Sequence, residues 1–197
     1  MGTHNPRCTL HLRLLAASLI ALLLSLPATA DSPTGSAAAV PQAARPAAEI
    51  RQHLADYLFD AARVGDDDIL REFIAAHFNL NVRTEQGYTA VILAAYHGHE
   101  SSVQLLLDHG ADSCAKDNHG NTALMGALFK GELSIARTLA AAPCDPDERN
   151  NAGQTAAMYA ALFGRVEIIK QLKDRGADLD TRDAAGNSAN SINAATH

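Results

Sequence analysis

The sequence repeats itself at a fixed step of 33 residues. Gly87-Tyr88-Thr89-Ala90 recurs as Gly120-Asn121-Thr122-Ala123, as Gly153-Gln154-Thr155-Ala156 and as Gly186-Asn187-Ser188-Ala189. A second glycine keeps the same step at Gly65, Gly98, Gly131 and Gly164. Gly110-Ala111-Asp112 is matched two steps later by Gly176-Ala177-Asp178. Several independent marks on one period leave little room for chance, and a period of this size is the signature of a stacked repeat architecture.

Each period has a simple physical reading. Gly-x-Thr leaves a turn and enters a helix, with Thr as the N-cap. A short helix such as "TALMGALFK" follows, a glycine breaks it, and a second helix such as "LSIARTLAA" or "VEIIKQLKD" runs back. Apolar residues recur at three- and four-residue spacing, as at Val166, Ile169 and Leu172. Gly110 and Gly176 stand just past a helix end, where a left-handed backbone is wanted. One such unit cannot bury its apolar face alone, whereas stacked units can. The expected fold is an all-α repeat solenoid of helix–turn–helix units joined by short hairpin loops.

From about residue 50 to 197 the sequence resembles the ankyrin repeat family. The resemblance rests on the 33-residue period, on "GHES…LLLDHGAD" at 98–112 and on "GNTAL" at 120–124. It implies stacked hairpin-plus-two-helix units with a concave binding face. Separately, the sequence holds no Gly-x-Ser-x-Gly, no phosphate loop and no cysteine with a recognisable partner, so neither catalysis nor a cofactor is expected. The family's Thr-Pro-Leu-His tetrapeptide reads Thr89-Ala90-Val91-Ile92, Thr122-Ala123-Leu124-Met125 and Thr155-Ala156-Ala157-Met158 here. Loss of that histidine removes its hydrogen bonds and predicts looser hairpins. The expected division is a cap over 49–80, repeats at 81–113, 114–146 and 147–179, and a partial C-terminal repeat at 180–197. The last is polar and is expected to form one short helix that frays.

Ahead of this domain, 49–197, lie two other segments. Arg7 and Arg13 precede the apolar run "LLAASLIALLLSL" and a small-residue site, Ala28-Thr29-Ala30. That pattern predicts a secretory signal peptide over 1–30, cut after Ala30, of bacterial appearance and directing the chain to the periplasm. Residues 31–48, rich in Ala, Pro and Ser, read as a flexible tether. The leader holds two of the 16 basic residues and none of the 22 acidic ones, so residues 31–197 carry 14 basic against 22 acidic residues, a net charge of −8. That balance argues against nucleic acid as the partner.

Candidate contacts follow from the register. The ends of the first helices form one column, Arg63, Tyr96, Phe129 and Leu162, and a neighbouring column, Val64, His97, Lys130 and Phe163. Both are expected to line the concave groove, where an exposed aromatic and aliphatic stripe fits a partner protein. The competing expectation is that these rings pack against the hairpins. A second set, Arg83, Lys116, Arg149 and Arg182, climbs the hairpins at the same step and suits an acidic protein surface. Asp117 and Asp183 are the expected local counter-charges. Tyr88, Asn121 and Gln154 complete the face near the tips.

"YHGHE" at 96–100 raises a metal site, since paired imidazoles with a carboxylate are zinc or copper ligands. In register, however, His99 falls where the ankyrin pattern itself has histidine, and His97 points elsewhere. A site built on His97, His99 and His119 is therefore the less favoured reading. "GDDD" at 65–68 reads as a helix cap rather than a calcium loop.

Two cysteines follow the leader, Cys114 and Cys144. Pro143 stands where neighbouring units have Gly110 and Gly176, and its fixed negative φ forbids the left-handed exit. Stacked units lie about 10 Å apart, beyond the ~4.4–6.8 Å Cα span of a disulfide. Two readings stay open: a shifted loop that joins Cys114 to Cys144, or two separate buried thiols.

The functional expectation is a monomeric, non-catalytic protein-binding module in the periplasm. Exported ankyrin proteins that it resembles imply two roles. One is an immunity protein against a secreted toxic enzyme, and the other an accessory factor in periplasmic oxidative-stress defence.

Overall fold

The computed structural model describes residues 44–195. The expected signal peptide, its cleavage site and residues 31–43 of the expected tether lie outside the described residues. Nine helices occur among the described residues: α1 Ala44–Val64, α2 Asp67–Ala75, α3 Ala90–Tyr96, α4 Glu100–Asp108, α5 Ala123–Lys130, α6 Leu133–Ala140, α7 Ala156–Leu162, α8 Val166–Asp174 and α9 Ala189–Ala195. Because α1 starts at Ala44, the last residues of the segment read as tether are helical. Pro46 does not prevent this, since it sits in the first turn, where a missing N–H breaks no helical bond.

The helices form two rows. α1, α3, α5, α7 and α9 pack successively into an inner row, and α2, α4, α6 and α8 into an outer one. Helices of seven to nine residues are too short to be stable alone, so burial must supply the driving force. Ala61, Ala94, Ala127 and Ala160 stand one period apart and are all buried. Their small side chains let adjacent inner helices approach closely. In the outer row the same step places Phe73, Leu106, Leu139 and Leu172 in the core. Each contributes on the order of 1.5–3 kcal/mol through burial.

The helix starts follow the sequence. Thr89, Thr122 and Thr155 have extended backbones, and each Oγ1 accepts the N–H of the residue three ahead, Ile92, Met125 and Met158. Asp66 does the same for Ile69 at the start of α2. Gly65 turns the chain between α1 and α2 with φ +74°, and a Cβ there would stand 2.5 Å from the His99 ring. His99 fills that space because its Nε2 lies 3.0 Å from the Arg63 carbonyl oxygen of the preceding unit.

The hairpins are not loose. Asp117, Asn150 and Asp183 each use one side-chain oxygen to accept two backbone N–H groups of their own turn. The Asn187 N–H in particular holds the Asp183 carboxyl below the usual carboxylate range. Successive tips are bonded to each other: Asn118 N–H to Gln86 O at 3.0 Å, Asn151 N–H to His119 O at 2.9 Å, and Ala184 N–H to Ala152 O at 3.0 Å. The C-terminal unit is also better fastened than expected. Ser188 and Ser191 each donate a backbone N–H to the other's hydroxyl at the start of α9, and Asn190 bonds Leu179 O and Asp180 Oδ1.

The third unit departs from its neighbours at Pro143. α6 spans eight residues, where α4 and α8 span nine. The chain leaves α6 through Ala141 in a right-handed conformation instead of through a left-handed glycine. This exit carries Cys144 to Cys114, and the two form a disulfide with Cα atoms 5.5 Å apart.

Candidate functional site: the concave groove

The inner helices end on one edge, so side chains one period apart come into line. Tyr96, Phe129 and Leu162 are 38, 57 and 56% exposed, and Val64, at the head of the neighbouring column, is 68% exposed. Such a row of solvent-facing apolar groups is uncommon unless something covers it. The rings touch: Tyr96 and Phe129 stack with centroids 6.5 Å apart, and Phe163 meets Phe129 edge-on at 6.1 Å. Tyr96 is also edge-on to His97 at 5.6 Å. The rings therefore pack on one another along the groove. Tyr88 instead lies half-buried against the core beside its hairpin.

Cations border this row. Lys130 Nζ lies 4.9 Å from the centroid of the Tyr96 ring, a cation–π contact. Among the described residues Lys130 has no carboxylate partner, while Arg63 pairs with Asp60 one turn back. The His97 pKa falls below its ordinary value, first through desolvation and then through His99, Arg63 and Lys130. Of Arg63, His97 and Lys130, Lys130 is left as the cation without a carboxylate beside it among the described residues, on a chain that is acidic as a whole.

The hairpin cations are tied to backbone carbonyls. Arg83 donates to the Lys116 carbonyl, Lys116 to the Arg149 carbonyl at 3.1 Å, and Arg149 to the Arg182 carbonyl at 3.3 Å. Arg182 donates within its own turn to Gly186 O at 2.7 Å. Each rung is tied to the next, which directs these charges along the stack. The expected neutralisation by Asp117 and Asp183 is replaced by a different arrangement. Those carboxylates hold their own turns, and Glu148 pairs with Lys116.

The histidines do not converge on a metal. His99 is bonded to Arg63 O, and among the described residues no group of three or more His, Cys, Asp or Glu side chains is placed to hold an ion. His97 and His119 do line the same cleft, a hollow of ≈ 450 Å³ between the inner helices and the hairpins.

The floor of that cleft was not visible among the residues chosen from sequence. Gly126 lies inside α5, at the position held by Leu93 one unit earlier and Tyr159 one unit later. A Cβ at Gly126 would meet Tyr96 Cδ2 at 3.7 Å, an ordinary contact. A glycine inside a helix costs about 1 kcal/mol relative to alanine. Tyr159 stands beside it with its hydroxyl 3.3 Å from Gln154 Oε1, and burial raises its phenol pKa. The available signal was a glycine interrupting "ALMGALFK" away from any turn.

The fold and the groove define a helical-repeat scaffold for binding proteins. A family profile described as ankyrin repeats in three copies matches residues 58–150, and a profile for a single ankyrin repeat matches residues 152–181. The chain belongs to the ankyrin repeat family, whose members are generally non-catalytic protein-interaction modules. No curated protein matches it.

Proposed function

We propose that the chain is exported to the periplasm and there binds a partner protein through the concave groove, using Arg63, Tyr96, His97, Phe129, Lys130, Leu162 and Phe163. The observation that carries the reading is the ring row on the groove, with exposed Tyr96 and Phe129 stacked on each other, Phe163 edge-on to Phe129, and Lys130 over Tyr96. Aromatic side chains on a rigid surface lose little entropy when covered, and they dominate interface energetics. The Lys130 ammonium favours an acidic partner surface. Export is supported by the leader pattern and by the Cys114–Cys144 bond, since such bonds persist in oxidising compartments. The role proposed is steric occlusion, as an immunity protein covers a secreted toxic enzyme.

The test uses tagged residues 31–197 as bait in periplasmic extract, beside a Tyr96→Ala/Phe129→Ala variant. Both side chains are exposed, so the fold should survive, and circular dichroism checks it. The expected result is a partner whose affinity falls at least about thirtyfold with the variant and whose own activity is blocked in the complex. Equal binding by the variant removes the groove reading, and an active partner in the complex removes occlusion.

A further inference from the structure

Gly126 makes a notch in the groove floor, and nothing in its own backbone or packing calls for glycine. It lacks the positive φ of the turn glycines, and a Cβ would find ordinary contact distance. The units on either side carry Leu93 and Tyr159 at this position, so removal of one side chain opens space between two bulky ones. Tyr96, Met125 and Phe129 complete the walls of the ≈ 450 Å³ hollow. It is open to solvent and continuous with the exposed aromatic row. Two polar residues of the lining are already committed: Asp117 and Asn121 bond within their own hairpin. Lys130, without a carboxylate partner among the described residues, holds its ammonium over the ring of Tyr96, one of the lining residues, and Arg63 and His97 also line the hollow.

We propose that this notch is the anchor site of the partner. It receives one bulky apolar side chain, aromatic or leucine-sized, from a protein segment that carries a carboxylate beside that residue. The apolar walls take the side chain, and Lys130, which has no carboxylate partner among the described residues, takes the carboxylate. Insertion of one large side chain into a desolvated pocket with a charge pair at the rim is how few residues come to dominate an interface. This assignment rests on the groove reading above and narrows it to one position.

The probe is the peptide acetyl-Asp-Glu-Phe-Asp-Glu-amide, titrated into isotopically labelled residues 31–197 and followed by amide chemical shifts. Saturable shifts centred on Gly126, Tyr96 and Phe129 are expected. They should vanish when the peptide's Phe is replaced by Ser. They should weaken at least tenfold when its acidic residues are replaced by Lys, and likewise in Lys130→Ala protein. Gly126→Leu, which fills the notch, should abolish binding. Gly126→Ala should raise the thermal midpoint by roughly 3 °C.

A lower midpoint in Gly126→Ala would show that the fold needs this glycine, and the premise would fail. Undiminished peptide binding by Gly126→Leu, or no saturable shift in the native chain, overturns the notch. The groove reading is judged separately, by capture of the partner with the Tyr96→Ala/Phe129→Ala variant. Indole alone saturating the site as tightly as the peptide makes it a small-molecule site and also overturns the proposal.

Discussion

Arg175 reaches back across a unit boundary to Ala140. Its Nη1 donates to the Ala140 carbonyl at 2.6 Å, and its Nη2 to the Cys144 carbonyl at 3.0 Å. The last carbonyls of a helix have no partners within the helix, and Pro143 has removed the left-handed turn that normally satisfies them. A guanidinium from the next unit supplies the missing donors. Arg175→Ala should therefore destabilise the domain by about 2 kcal/mol, measured as a lower urea midpoint with an unchanged slope.

The Cys114–Cys144 bond closes a loop across a sequence separation of 30. In the chain-entropy account a loop of that size stabilises the fold by about 3.5 kcal/mol. Cys114→Ser or Cys144→Ser should lower stability by that order, and reductant should do the same to the native chain. Thiol titration of denatured, unreduced residues 31–197 should find no free thiol. Two free thiols would remove the bond.

The His97 pKa is depressed, so its neutral form is favoured in the folded state. Above the ordinary value of 6.5 both folded and unfolded chains hold it neutral. As pH falls through that value the unfolded state takes up the proton first, so the stability present above it is lost. Stability should decline with acidification through this window, and His97→Gln should flatten that part of the profile. Lys130→Ala should move the His97 midpoint upward in an NMR titration.

The caps of the inner helices are single-atom devices. Thr122 Oγ1 accepts the Met125 N–H at 3.3 Å in a buried setting. Thr122→Ala should cost about 1 kcal/mol. Thr122→Ser keeps the hydroxyl and should recover most of it, as read from chemical denaturation.

Much of this was legible because repetition turns one local rule into many. Glycine, threonine and leucine at fixed offsets mark the helix ends and the core columns, and alignment of Tyr96 with Phe129 and Leu162 follows from the step alone. What the hairpin cations do was hidden. Arg83 and Lys116 look like free charges until the next hairpin's carbonyl is placed beside them. Pro143 revealed a disturbed exit but not its direction, because a proline excludes one path without choosing another. Gly126 escaped notice because its meaning lies in the neighbours it is compared with, Leu93 and Tyr159, not in its own segment.

The cation-to-carbonyl ties between hairpins run one way, from each unit to its successor, with the same donor position and the same acceptor position at every rung. A gene duplication that inserted one whole period would create a new tie and break none. Excision of a period would rejoin the flanking rungs by the same bond. These ties therefore repeat with the array, whereas the Cys114–Cys144 bond and the Arg175 contacts to Ala140 and Cys144 belong to single seams and fix which units can stand side by side.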